Sequence, residues 1–191
     1  MNKSFKIAAA AAVLAALPVA ASAHPGLHAA GFADGFIHPF TGADHLLAMI
    51  ATGYWAAQFA GRARFALPTV FVCLMVVGGA LGFHAQAPGF IEYGIAASVA
   101  VLGMLVAFDV KMPVAPAAGL VGLFALCHGF AHGAEAPAAA SQALFFGGFV
   151  VASLILQALG FGLAGLRPGK SLSRIAGALV AFGGAWMLGN A

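Results

Sequence analysis

The chain has 191 residues, of which 63% are hydrophobic and only 7% are charged. Soluble domains carry about 25% charged residues, so this composition excludes a soluble protein and indicates an integral membrane protein. The formal net charge of +3 comes from scattered residues rather than from a basic run, which argues against nucleic acid as a partner.

The first 23 residues have the pattern of a cleavable secretory signal peptide. Two lysines form a positive start, residues 7–20 form an apolar run, and Ala21-Ser22-Ala23 is a small-residue cleavage site. The run is shorter than the ~20 residues that a membrane-spanning helix needs. We therefore predict a signal peptide at 1–23 and a transmembrane permease domain at 24–191. The mature chain would begin at His24, in the periplasm of a bacterium; an uncleaved first helix is the alternative.

Six further apolar segments follow, separated by turn residues and charges. At a rise of about 1.5 Å per residue, each is about long enough to cross a bilayer. The expected fold is all-α, a polytopic membrane bundle with six transmembrane helices. The segments lie near residues 43–60, 65–83, 90–108, 114–133, 142–165 and 172–189.

The charged residues predict the orientation of these helices. If His24 is outside, every Lys and Arg of the mature chain lies on the cytoplasmic side of the inner membrane, as the positive-inside rule requires. These residues are Arg62, Arg64, Lys111, Arg167, Lys170 and Arg174. The histidines and carboxylates fall towards the periplasmic side, with Asp109 as the exception. One face is thus cationic, and the other is rich in potential metal ligands.

The first cluster of such ligands lies in the stretch HPFTGADHLLAM, residues 38–49. Pro39 and Gly42 predict a turn before a helix that begins near Ala43. Asp44 would lie in the first turn of that helix, where a carboxylate suits the positive end of the helix dipole. Helix capping is therefore the alternative to metal binding for Asp44.

The same stretch predicts two further ligands near Asp44, His38 and His45, and one possible additional residue, Met49. His45 is the next residue, Met49 lies one turn further along the same helix face, and His38 can fold back across the turn. Nickel, cobalt and zinc favour imidazole, with carboxylate as a harder supplement. This combination, at the point where a helix enters the membrane, is typical of a divalent metal site.

The second cluster is LCHGFAHGAEAP, residues 126–137. His128 and His132 are four residues apart and share a helix face, and Glu135 follows three residues later. Because a continuous helix separates His128 from Glu135 by about 10 Å, one ion fits either the two histidines or His132 with Glu135. All three on one ion would require the helix to end near Gly133. Packing is the alternative role, but ionisable residues in a membrane usually mark pathways.

Three residues elsewhere are additional candidates. His24 would offer both an amine and an imidazole at the mature N-terminus, with His28 close behind, unless this segment is a disordered leader. Glu92 begins the third span, where structural pairing is the alternative to a role in the pathway. His84 lies in an outer loop and its role is ambiguous.

The number of these groups favours metal binding over proton transfer. Proton relays in membranes also use His, Asp and Glu, but they need only one or two such groups. A metal site uses neutral imidazole, so binding should weaken as the pH falls through about 6.5. The predicted metal ligands are His38, Asp44, His45, His128, His132 and Glu135.

At these residues the chain resembles the HupE/UreJ family of nickel permeases. The resemblance rests on the signal peptide, the six spans, H-P-x-x-G-x-D-H at 38–45, H-G-x-A-H-G-x-E at 128–135 and EYGIAAS at 92–98. It covers nearly the whole mature chain. It implies the uptake of nickel, or of cobalt in some members, for the maturation of hydrogenase or urease. Composition and spacing by themselves do not identify nickel.

The predicted function is import of a divalent transition metal, Ni²⁺ or else Co²⁺, as the transported ligand and without a prosthetic group. No G-x-x-x-x-G-K-[ST] motif occurs, so the chain has no ATPase of its own. The partners are the metal ion and the lipid bilayer, and the sequence leaves a homo-oligomer open. A membrane metalloenzyme with a histidine box, or a metal sensor without transport, are the alternatives; we expect no enzyme.

Overall fold

The computed structural model describes residues 31–83, 85–136, 141–166 and 169–191. In these ranges the chain forms seven α-helices and no strand. The helices are α1 (Phe32–Thr41), α2 (Ala43–Ala56), α3 (Ala63–Gly82), α4 (Phe90–Ala107), α5 (Val114–Glu135), α6 (Gln142–Gly165) and α7 (Lys170–Leu188). The predicted signal peptide, His24, His28 and His84 lie outside the described residues.

The predicted class, an all-α membrane bundle, is confirmed. Five helices of the described ranges, α3 to α7, are long and apolar enough to cross a membrane. The first predicted span begins at Ala43 as expected, but its helix α2 has only 14 residues. That length corresponds to about 21 Å, against about 30 Å for a bilayer core. The length predicted for this span is therefore wrong: the chain leaves the helix in a turn that reaches Gly61, whose φ is +58°.

Helix α1 was not predicted, because Pro39 was assigned to a turn. Pro39 instead lies inside the last turn of α1, which ends two residues later at Thr41 and is followed by the extended Gly42. A proline has no N–H to donate to the preceding turn, so it favours an early end of the helix rather than excluding the helix altogether. Asp34 supports the start of α1, since its carboxylate accepts a hydrogen bond from the Gly31 N–H at 3.1 Å.

Glycines let three groups of helices pack with their backbones in contact. Helices α3 and α5 run parallel, with Gly129 against the Met75 backbone and Gly133 against the Gly79 backbone. Helices α4 and α7 run antiparallel through a similar contact, and α6 packs against both α1 and α2. A membrane gives helices no hydrophobic reason to associate, so such close approach stabilises the bundle through van der Waals contacts.

Within the described ranges, the cationic residues and the histidines occupy opposite ends of the bundle. Trp55 near the end of α2 donates its indole N–H to the Val110 carbonyl at 3.1 Å, and the Tyr54 hydroxyl lies 2.7 Å from the Ser173 hydroxyl. These contacts bring the end of α2, the end of α4 and the start of α7 to one end. The described cations at this end are Arg62, Arg64, Lys111, Lys170 and Arg174. The opposite end contains the start of α2 and the end of α5, and therefore both predicted ligand clusters.

Candidate metal site

The structure brings together the four histidines of the two predicted clusters. His38 comes from α1, His45 from α2, and His128 and His132 from α5. The ring centroid of His45 lies 4.2 Å from that of His132 and 4.7 Å from that of His128. The centroids of His38 and His132 are 4.6 Å apart. We call these four residues the histidine cluster.

His45 is held by Asp44. The Asp44 Oδ1 atom lies 2.6 Å from His45 Nδ1 and also accepts the backbone N–H of His45 at 2.7 Å. Because an ionised carboxylate only accepts hydrogen bonds, Nδ1 of His45 carries the proton. Nε2 of His45 then has a free lone pair, and this buried atom has no hydrogen-bond partner among the described residues. Asp44 therefore orients His45 for a ligand.

Ser98 holds His128 in the same way. The Ser98 hydroxyl donates its proton to the Ile95 carbonyl at 2.6 Å, so it can only accept from His128 Nε2, which lies 2.8 Å away. Nδ1 of His128 then has the free lone pair, and it is also buried without a partner in the described ranges. Metal-binding histidines generally have one nitrogen hydrogen-bonded to a carboxylate, carbonyl or similar acceptor and the other on the metal. His45 and His128 both have this arrangement.

His132 has two buried ring nitrogens, and neither has a hydrogen-bond partner among the described residues. A buried polar atom without a partner costs about 1–3 kcal/mol, and most native proteins avoid it. A bound cation would satisfy the nitrogen that faces the other rings. One free lone pair each on His45, His128 and His132, buried without a hydrogen-bond partner among the described residues, therefore fits a metal better than a packed core.

Glu135 and His38 form the exposed side of the site. Glu135 Oε2 lies 3.8 Å from His38 Nε2. One ligand atom each of His38, His132 and Glu135 lies within 4.8 Å of the others, close enough to share an ion. Helix α5 continues through Glu135, so the arrangement that required it to end near Gly133 is not formed. The neighbour of His132 and Glu135 is instead His38 of α1.

The site is graded from exposed to buried. The side chains of Glu135 and His38 are 56% and 36% exposed, whereas His128 and His132 are fully buried. Beneath them, the ring centroid of Phe149 in α6 lies 4.0 Å from that of His132. An ion can therefore meet Glu135 and His38 first and then reach the buried imidazoles.

The pKa of His38 is shifted in the direction that metal binding requires. Burial, followed by the charge of His45, lowers this pKa from its usual 6.5 to about 4, although Asp44 opposes the shift. The imidazole of His38 is then neutral at physiological pH, so the lone pair of its unprotonated nitrogen is available to a cation.

The remaining candidates lie outside the histidine cluster. Met49 is fully buried on α2, one turn beyond His45. Glu92 is exposed in the first turn of α4. The orienting role of Ser98 was not predicted from the sequence, although a polar residue within an apolar helix was an available signal. The contact of Phe149 with His132 was not predicted either, since a phenylalanine in an apolar span gives no such signal.

Comparisons with known proteins identify the family of this chain. The model of the family described as HupE / UreJ protein matches residues 11–187. A curated relative, "Protein HupE" of Rhizobium leguminosarum bv. viciae, is 48% identical over 176 residues, which cover 91% of this chain and 92% of that protein. No solved structure matches the chain. The chain therefore belongs to the HupE/UreJ family, which is a family of metal permeases and not of enzymes.

Proposed function

We propose that this protein imports a divalent transition metal ion, Ni²⁺ or alternatively Co²⁺, through the histidine cluster. One observation supports this proposal above all others. Imidazoles from three helices converge, and the nitrogens of His45 and His128 that face away from Asp44 and Ser98 have free lone pairs. Borderline divalent metals prefer such imidazole nitrogens, and their affinities rise from Co²⁺ to Ni²⁺ at a given site.

Capture proceeds from the exposed to the buried side of the site in this proposal. Glu135 and His38 attract the hydrated ion, and His132, which lies beside both of them, takes part in replacing its water. His45 and His128 then hold the ion in the buried part of the cluster. The order follows the exposure of these side chains, since an ion loses water only as protein ligands replace it.

The proposed orientation places the histidine cluster in the periplasm and the cationic end in the cytoplasm of a bacterial inner membrane. The support is the separation of the two ends, because Lys and Arg accumulate on the cytoplasmic side of membrane proteins. The membrane potential then drives entry, by about 2.3 kcal/mol per charge per 100 mV, or about twice that for a divalent ion. A cleaved signal peptide at 1–23 remains part of the proposal.

Radiolabelled nickel uptake tests the proposal in cells that lack other nickel importers. We expect the wild-type protein to raise uptake, and His45→Ala or His132→Ala to lower it by about 10–100-fold. Gln86→Ala, in an exposed loop, serves as the control and should stay within about twofold of wild type. Wild-type cells that accumulate no extra nickel or cobalt would contradict import, and binding without flux would indicate a metal-binding protein instead.

A further inference from the structure

Gln157 is a buried polar residue that the histidine cluster does not include. Its side chain lies in α6, is 2% exposed, and has no hydrogen-bond partner in the described ranges for either its amide nitrogen or its amide oxygen. An unpartnered buried amide costs about 1–3 kcal/mol by mutational measures. Polar residues inside membrane bundles usually belong to substrate or ion pathways. Gln157 therefore calls for a ligand that is not a described side chain.

The position of Gln157 links it to the histidine cluster. Phe149, Ser153 and Gln157 are four residues apart in turn, so they share one face of α6. Phe149 packs against His132, which places Gln157 about 12 Å further along the helix axis. Ser153 lies between them; its hydroxyl donates to the Phe149 carbonyl at 2.7 Å, and its oxygen can still accept a hydrogen bond or contact a cation.

Helix α2 forms the other wall of this region. Its backbone touches that of α6 at Gly53, where any side chain would meet the Gln157 carbonyl. Thr52 precedes this contact, is fully buried, and donates its hydroxyl proton to the Ala48 carbonyl at 2.8 Å. Thr52 shares a face of α2 with His45, seven residues earlier. Both helices thus present buried hydroxyl groups between the cluster and the level of Gln157.

Beyond Gln157 lies a cavity of about 220 Å³ at the cationic end of the bundle. Gln58 lines this cavity five residues after Gly53, and its buried Oε1 atom also has no hydrogen-bond partner among the described residues. The other polar lining residues are Asp109, Lys170, Ser173 and Arg174. The lysine and the arginine disfavour a resting cation there, so this cavity fits the exit from a pathway better than a storage site.

We propose that the Gln157 side chain is a second, inner binding position for a partly hydrated divalent cation on its way from the histidine cluster to this cavity. The inference rests on the proposed import function. An amide oxygen is a neutral, hard ligand, which holds such an ion less tightly than several imidazoles do. Conduction requires a site that binds strongly enough to admit the ion and weakly enough to release it.

Two measurements on the full chain test this role. Equilibrium dialysis of radiolabelled nickel in detergent reports the affinity of the histidine cluster, and uptake into proteoliposomes reports the rate of transport. We expect Gln157→Leu to keep nickel affinity within about twofold of wild type, because the cluster lies about 12 Å away. We expect its initial uptake rate to fall at least about tenfold, since an ion in an apolar segment loses a polar partner.

Gln142→Leu is the matched control, with the same substitution at the start of the same helix. It should change neither the affinity nor the rate by more than about twofold. An uptake rate of Gln157→Leu equal to wild type would overturn the inner position but leave the import function intact. Wild-type proteoliposomes that take up no more nickel than protein-free vesicles would overturn import itself, and the inner position with it.

Gln157→Glu decides the question if Gln157→Leu fails to fold. A carboxylate at this position keeps the oxygen ligand and adds a charge, so the inner position should hold an ion long enough to be counted. We expect one more bound nickel per chain than in wild type at saturation. The same number of bound ions as in wild type would overturn the proposal.

Discussion

The role of Asp44 can be tested by removing its charge and its side chain separately. Both hydrogen bonds of the Asp44 carboxylate, from the His45 backbone N–H and from His45 Nδ1, end on the same Oδ1 atom. In Asp44→Asn the amide oxygen can take this place and accept both bonds. The tautomer of His45 is then preserved, and only the negative charge is lost. In Asp44→Ala both bonds are lost.

The expected magnitudes follow from these bonds. A hydrogen bond to a charged group contributes about 1.5–3 kcal/mol, and one between neutral groups about 0.5–1.5 kcal/mol. The difference of about 1–1.5 kcal/mol corresponds to a loss of nickel affinity of about 5–12-fold for Asp44→Asn. Removal of a residue that orients a metal-binding histidine typically costs 10–100-fold, so Asp44→Ala should lie in the range of about 10–100-fold.

The assay is equilibrium dialysis of radiolabelled nickel against the purified full chain. Asp109→Asn is the matched control, because Asp109 accepts a hydrogen bond from Lys111 at 2.6 Å at the cationic end of the bundle, opposite the histidine cluster. Its nickel affinity should stay within about twofold of wild type. If Asp44→Asn is as damaging as Asp44→Ala, Asp44 binds the ion directly and the orienting role is wrong. If neither variant changes the nickel affinity, Asp44 has no role in the metal site.

Two further predictions concern packing and pH. Gly129→Ala should lower the free energy of unfolding by about 1–3 kcal/mol, because the new methyl group meets the Met75 backbone. The control is Gly119→Ala on the same helix, which has open space around it and should not destabilise the protein. Thermal unfolding in detergent measures both variants, and equal stabilities would contradict this reasoning. Protons should compete with nickel for the His38 imidazole only as the pH approaches the His38 pKa of about 4, since burial disfavours the charged form. The ratio of wild-type to His38→Gln nickel affinity should therefore stay within about twofold between about pH 7.5 and pH 5.5, and a ratio that falls to one by pH 5.5 would show that His38 is protonated far earlier.

The sequence alone determined the class of the protein, the positions of the five long helices α3 to α7 and the identity of its candidate ligands. An apolar composition with so few charges is incompatible with a soluble protein, and glycine, proline and charged residues mark the breaks between spans. The shared face of His128 and His132 was also predictable, because the period of a helix is a local property. The start of α2 at Ala43 was predictable for a similar reason, from Gly42 before it.

The tertiary structure decided which ligands share an ion and what holds them. His38 meets His132 and Glu135 only because α1 is a helix that packs on α6 through Gly35 and Gly148. The sequence pattern around Pro39 hid that helix. The tautomer of His128 depends on Ser98, thirty residues earlier in another helix.

The tertiary structure also decided that the side-chain amide of Gln157 has no hydrogen-bond partner among the described residues. The backbone carbonyl of this residue lies where the α2 and α6 backbones meet. Periodicity describes how each helix face is composed, but the distances between faces depend on how helices pack. Packing joins residues that are far apart in the chain, and no local pattern encodes it.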